Sequence, residues 1–433
     1  MRRSWTNLKS VGRLAVLMLV GCLSFWLSPP PQGQPDVEYW GHYARVGPEL
    51  GFIVNHDSYG YLAVAQHPSK LLLPKEVRQS RPLYALLGAA VGYPLLGVLR
   101  LAGRLDLPQF WPDDELFYSF YSGYVLLNGL ILLGSLLLLR HLFEHFTAGR
   151  GEQWQFFALA WVLVANPIIK MFFWTAHQQM LAFFVPLFCL ALALWLVRRS
   201  ALSWVELVGL ALGLGLLPLL YGSFVLAWPA LAYGLIGRAA SKASATSLPP
   251  AAAPGWLGML GQVGLSLGLF AVPTLLWIAL LRSQGTTYYN YEAVRWHQVV
   301  WIFEARHLPL QAFASLVGAK LAEYVHSWQL MRWWLLVGGA LYVASRWRYA
   351  SRAGALLPAG TGRALAWVTG CCVLFFGLLG YYPERLTYTL LPLVLCLLAA
   401  LLPRWPSRYA RPVALAVAAG WHLYVLLSYG PFS

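Results

Sequence analysis

One carboxylate and a few arginines carry the chemistry that this sequence offers. Asp57 stands in Asn55-His56-Asp57-Ser58-Tyr59-Gly60-Tyr61-Leu62, and the same polar stretch ends in Arg81-Pro82-Leu83-Tyr84. A carboxylate facing water is suited to take the proton of a hydroxyl as that hydroxyl attacks an electrophilic centre. A guanidinium suits a phosphate, because its planar fork holds two oxygens at once and stabilises a departing phosphate as charge develops. Arg81 is the first candidate for that role, with Arg385, just ahead of an apolar run, and Arg295 behind it. His56 and Tyr61 flank the acid, His177 and Gln178 lie in a short external turn, and His297 lies on a helical stretch of the second external loop, all suited to substrate contact.

Each residue also has a plainer reading. Asp57 can cap a short helix beginning at Tyr59, Arg81 can anchor an interfacial helix by snorkelling, and Arg385 can pair with Glu384. Asp113-Asp114-Glu115 invites a metal, yet acids at the start of a span complement the helix dipole. No cofactor is expected, and a divalent metal is the lesser alternative because Asp57 has no nearby partner acid. The cysteines, Cys22, Cys189, Cys371, Cys372 and Cys396, all fall in apolar runs and form neither a zinc spacing nor an external disulfide framework.

The elements that hold these residues are membrane spans. Of 433 residues 59% are hydrophobic and 11% charged, and apolar runs near twenty residues recur along the chain. The net charge of +15 arises from Lys and Arg in short loops between those runs, as the positive-inside rule requires, so nucleic acid is not a partner. Arg2, Arg3, Lys9 and Arg13 precede the first apolar run, Leu14 to Leu27, and make the N-terminus cytoplasmic. Leu19-Val20-Gly21-Cys22 resembles a lipoprotein cleavage site, but the run continues through Leu27 and completes a span. Either way the loop that follows, 29–117, is external.

Charge also bears on the segment 83–101. If it crossed, the loops carrying Arg140 and Arg150, Arg198 and Arg199, Arg238 and Lys242, Arg346 to Arg363, and Arg404 to Arg411 would all be external, against the rule. We therefore read it as lying along the outer interface, with Pro82, Gly88, Gly92, Pro94 and Gly97 suiting a broken helix. Of the 16 acids, only Glu144, Glu152 and Glu206 are then cytoplasmic. The expected fold is all-α, a polytopic bundle of roughly eleven spans, N-terminus in and C-terminus out. After the first, the spans run near 118–140, 155–170, 178–197, 203–220, 222–237, 257–281, 328–346, 364–380, 386–402 and 411–428. The breaks at Tyr221-Gly222-Ser223 and Tyr381-Tyr382-Pro383-Glu384-Arg385 face the side of Asp57. The chain divides into an N-terminal block, 1–237, a cytoplasmic linker rich in Ala, Ser and Pro, 238–256, and a C-terminal block, 257–433, with a second external loop at 282–327. In that loop Trp296, Val299, Val300 and Phe303 fall on one face of an interfacial helix starting at Glu292.

This order of a first span, an external acid followed by Tyr61, Ala63 and Ala65, and then Arg81-Pro82-Leu83-Tyr84 before an apolar helix resembles the GT-C superfamily of integral-membrane glycosyltransferases. It is most similar to the branch containing protein mannosyltransferases and the lipid A aminoarabinose transferase. The span from Phe117 with its basic end, Arg140-His141-Leu142-Phe143, fits the same pattern, and the likeness covers the first two hundred or so residues best. Ser58 stands where many members have a second acid, and a single Pro follows Arg81. The resemblance implies a polyprenyl-phosphate sugar as donor, a lipid, glycan or protein hydroxyl as acceptor, inversion at the anomeric carbon, and Asp57 as general base. It also implies a bacterial cytoplasmic membrane with the site facing the periplasm or cell exterior. Alternative readings are a polysaccharide polymerase or ligase of the cell envelope and a non-enzymatic transporter of lipid-linked glycans. Against the transporter, the spans from Phe117 onward carry almost no internal charge.

Overall fold

The computed structural model describes residues 8–28, 41–48, 50–101, 115–199, 201–245, 256–348, 357, 360–405 and 407–428. Arg2 and Arg3, the prolines at 29–31, Asp113, Asp114 and linker residues 246–255 lie outside them. Among the described residues the chain is almost wholly helical. The exception is an antiparallel hairpin, Gly41–Arg45 with Gly51–Asn55, that the all-α reading did not include. It pairs Gly41 with Asn55 and so ends just short of Asp57.

Among the described residues eight helices are long and apolar enough to cross a membrane: Leu8–Leu27, Pro82–Leu101, Leu116–Phe146, Gln178–Arg198, Leu257–Ser283, Thr361–Leu379, Glu384–Arg404 and Arg408–Leu427. The chain is thus a multi-pass helical membrane protein. All but Pro82–Leu101 coincide with expected spans. The runs at 155–170 and 203–220 form the shorter apolar helices Gln153–Val164 and Trp204–Leu219. Those at 222–237 and 328–346 overlap the helices Ala227–Ala245 and Arg332–Arg348.

Pro82–Leu101 corrects one expectation, because it is a continuous helix of 20 residues that passes through Pro94. Its glycines are contact points and do not break it. A Cβ on Gly88 would come within 2.2 Å of the Tyr124 ring, and one on Gly92 within 2.5 Å of Phe120. Together with the Tyr84 hydroxyl, which donates to Asn128 at 3.3 Å, these contacts run in opposite order along the two chains. Pro82–Leu101 therefore packs antiparallel against the first half of the central helix Glu115–Phe146. That helix has 32 residues, about 48 Å at 1.5 Å per residue, and exceeds a hydrocarbon core of about 30 Å. Gly92→Val should cost about 1–3 kcal/mol by overpacking this contact. Its thermal midpoint in detergent should fall, whereas Gly97→Val, with nothing within 4 Å of its Cβ, should melt like wild type.

Basic residues gather at one end of the bundle. There His145 of the central helix meets the Arg198 guanidinium and, at 2.9 Å, the Thr361 hydroxyl. Gly234 and Gly237 admit Leu196 and Val197, and Arg238 reaches Gln262 at 3.4 Å. Arg140, Arg199 and Arg363 lie in the same helix ends. The helix Trp256–Ser283 runs from this end to the other, where Trp277 donates to the Gln79 carbonyl at 2.9 Å, about 31 Å along its axis. First and last helices close the bundle. His422 and the Ser24 hydroxyl lie 2.8 Å apart, and the Lys170 ammonium donates to the carbonyls of Val425, Leu426 and Ser428 at 2.8, 3.2 and 2.5 Å, at the C-terminal end of Ser407–Leu427.

Candidate active site

Asp57 is the first residue of the helix Asp57–Gln66, and its N–H is held by the Asn55 side chain at 2.8 Å. The hairpin that presents Asn55 leans on the segment 172–177. Thr175 donates to the Ile53 carbonyl at 3.4 Å, and the Ala176 N–H donates to Ser58 Oγ at 3.2 Å. That docking brings His177 to Asp57, Nε2 to Oδ2 at 3.5 Å. His177 Nδ1 accepts the Gln179 N–H at 3.1 Å, so the proton of a neutral imidazole sits on Nε2 and faces the carboxylate.

The other carboxylate oxygen belongs to Arg78. Its Nη2 donates to Asp57 Oδ1 at 3.1 Å and to the Asp57 carbonyl at 3.2 Å, while the guanidinium lies 4.2 Å from the centroid of the Tyr61 ring. Arg78 sits in the short helix Val77–Ser80, capped by Glu76, whose carboxylate accepts the Arg78 N–H at 3.0 Å. Gly60 makes room for it, since a Cβ there would meet Arg78 Nη2 at 2.7 Å. The Asp57 side chain is 50% exposed and that of Arg78 only 10%, so the pair opens to solvent on the acid's side.

Arg78 is the residue that sequence reasoning missed. Arg81, expected beside the acid, instead pairs with Glu292 from the second loop and lies by the Tyr61 hydroxyl. Both loops are docked here. Gln79 donates to the carbonyls of Leu71 and Leu73 at 3.0 and 2.8 Å and accepts the Tyr289 N–H at 2.9 Å, and Thr286 donates to the Leu72 carbonyl at 2.6 Å. Arg385, on the helix Glu384–Tyr388, lies 5.8 Å from the centroid of the Phe172 ring, and its charge reaches His177 and Tyr221. The expected breaks near Tyr221 and Arg385 thus fall at the same end as Asp57. Tyr61 is fully buried, with its ring edge-on to His177, and Gln178 is buried beside His177 with Oε1 unpartnered among the described residues. His56 is exposed.

Arg295 and His297 do not join this cluster. The helix expected from Glu292 onward is interrupted: Tyr291–Trp296 ends at His297 (φ 50°), Val299 takes φ 63°, and Val300–Ala305 starts afresh. The apolar spacing was helical, but a β-branched residue in the left-handed region marks a forced kink. His297 pairs with Glu304 at 3.2 Å and Arg295 covers the Trp296 ring at 5.2 Å.

The electrostatics follow from this packing. Burial opposes a charged Asp57, yet the hydrogen bond from His177 and the Arg78 guanidinium outweigh it and hold the carboxyl well below the usual range. Burial pushes His177 down to about 4, against the pull of Asp57. At neutral pH the pair is therefore a carboxylate and a neutral imidazole. The unfolded His titrates near 6.5, so between pH 6.5 and 4 the unfolded chain binds the proton first, and acidification through that window should remove about 3 kcal/mol of stability. Thermal midpoints of wild type and His177→Gln across pH 4–7 check this, the variant being expected to lose the steeper part of the slope.

Among the described residues no three His, Cys, Asp or Glu side chains converge as a metal site. No family model, curated protein or solved structure matches this chain. The fold and site define a multi-pass helical membrane protein with an acid and arginines clustered at one end of its bundle.

Proposed function

We propose that the protein transfers a sugar from a polyprenyl-phosphate donor to a hydroxyl acceptor at the outer membrane face. The observation that carries this reading is the half-exposed Asp57 carboxylate held between Arg78 and His177, with Arg81 and Arg385 in the same cluster. Three guanidiniums face two carboxylates, Asp57 and Glu292, so the cluster keeps one positive charge for a phosphate. The basic end of the bundle is opposite, and the positive-inside rule makes that end cytoplasmic and the cluster external.

In the reaction, the acceptor hydroxyl gives its proton to Asp57 as its oxygen attacks the anomeric carbon from the face opposite the phosphate. The bond from that carbon to the phosphate oxygen breaks, and the configuration inverts. The leaving lipid phosphate gains one negative charge, which Arg78, Arg81 and Arg385 stabilise more than they stabilise the bound donor. A carboxylate held by a guanidinium is a weak base. A donor phosphate competes for Arg78 and frees Asp57 as the acceptor arrives.

Purified protein in liposomes, given radiolabelled polyprenyl-phosphate sugars and a lipid, glycan or protein fraction, is expected to transfer label. Absence of donor cleavage across mannosyl, glucosyl, galactosyl and aminoarabinosyl donors would overturn the reading.

A further inference from the structure

One helical turn beyond Glu292, the second loop and the segment at Gly380 and Tyr381 line an open groove of about 480 Å³ that the proposed reaction leaves unused. A cavity of about 470 Å³ shares Glu323 and Tyr381 with it and extends it toward His326 and Pro383. Its wall is built with care for position. The Trp296 ring stacks on Tyr381 with centroids 4.2 Å apart and planes 13° from parallel. The Trp301 N–H donates to the Leu378 carbonyl at 3.0 Å, and the ring lies so near Gly380 (φ 80°) that a Cβ there would come within 2.2 Å. The kink through His297 and Val299 is fastened by the Val299 N–H, which donates to the Leu379 carbonyl at 3.1 Å. Backbone strain of this kind persists where its surroundings enforce it.

The charges of the groove cancel. Arg295 and Lys320 face Glu304 and Glu323, and Lys320 pairs with Glu323 at 3.1 Å. A phosphate gains nothing by leaving the net-positive cluster for this balanced surface. Carboxylates and an ammonium do suit hydroxyl groups, which both donate and accept, and aromatic rings suit the apolar faces of sugar rings. The groove is tied to the cluster through two short stretches of chain. Glu292, paired with Arg81, and Trp296 are one helical turn apart, and Tyr381 and Arg385 are separated by the same number of residues.

We propose that this groove seats the acceptor, a neutral saccharide laid against the Trp301 ring and the edge of the Trp296–Tyr381 stack, with its reacting hydroxyl directed toward Asp57. The assignment rests on the transferase reading and gives Arg295 and His297 to the acceptor, away from the donor phosphate.

Calorimetric titration of the purified full-length protein without donor tests it, using neutral manno-, gluco- and galacto-trisaccharides and trigalacturonate. At least one neutral trisaccharide should bind saturably and trigalacturonate at least tenfold more weakly. Trp296→Ala should weaken binding tenfold or more, and the exposed Glu304→Gln severalfold with an unchanged melting curve. Trp333→Ala, in a separate cavity with Trp334 and Trp421, should bind as wild type. Failure of every neutral trisaccharide to bind, a preference for the uronate, or wild-type binding by both groove variants would overturn the proposal. Trp296-dependent binding in a protein that cleaves no donor would sink the transferase reading and leave the saccharide site standing. Turnover with an acceptor KM unchanged by Glu304→Gln and Trp296→Ala would do the reverse.

Discussion

Asp57→Asn is expected to lower sugar transfer by about 10²–10⁴-fold, the usual contribution of a positioned general base. The amide preserves shape and can still accept from Arg78, so donor binding should change far less than turnover. It removes a charge, however, and the Arg78 side chain, only 10% exposed, loses its counter-ion, which costs about 1–3 kcal/mol of stability. Chemistry and folding are separated by the pair Asp57→Asn and Asp57→Asn/Arg78→Met. The double variant, with neither charge, should regain part of the lost melting temperature and none of the turnover. Wild-type turnover by Asp57→Asn would remove the residue from the base role.

Arg78→Met should have the second largest effect, lowering kcat/KM for the donor by about 10²–10³-fold if the guanidinium stabilises the leaving phosphate. A merely structural residue could mimic that loss, so the pH profile is the sharper readout. On the proposed reading kcat/KM, which reports the free enzyme in which Arg78 still holds Asp57, needs ionised Asp57 and is lost as pH falls through its pKa. In the wild type that pKa is held well below the usual carboxylate range by His177 and Arg78 against burial, so the acid limb lies below that range as well. Without Arg78, burial is opposed by the imidazole alone, and the limb should move up toward the usual carboxylate range. Arg78→Lys restores charge without the planar fork and should recover only part of either effect. An unmoved acid limb in Arg78→Met would refute the account of how Asp57 is tuned.

Hydropathy made most of the spanning helices legible, because a bilayer demands long apolar runs whatever the tertiary fold. The broken helix expected at 83–101 was the error, since Gly88 and Gly92 look alike in sequence whether they break a helix or admit the rings of Tyr124 and Phe120. The site was legible in its types and partly in its members: Asp57 and His177 meet, and Arg81 and Arg385 stand nearby. Arg78 was not legible, because its approach depends on how the short helix Val77–Ser80 is pinned through Gln79 to Tyr289, contacts some two hundred residues apart. The one local signal was Gly60, a gap in the first turn after the acid where a guanidinium fits. The hairpin before Asp57 escaped for a related reason, since two five-residue strands in a polar loop carry little periodicity beside twenty-residue apolar runs.

The three carbonyls that Lys170 grips belong to the end of the last helix. A ribosome delivers that helix to the membrane more than two hundred residues after Lys170 has been made. Until then the ammonium lacks the three carbonyls that hold it in the folded protein. Arrival of Ser407–Leu427 supplies those carbonyls and also joins His422 to Ser24. Docking of this one helix therefore fastens two stretches of chain made far apart in time, so a lesion in Ser407–Leu427 should loosen both the first helix and the segment around Lys170.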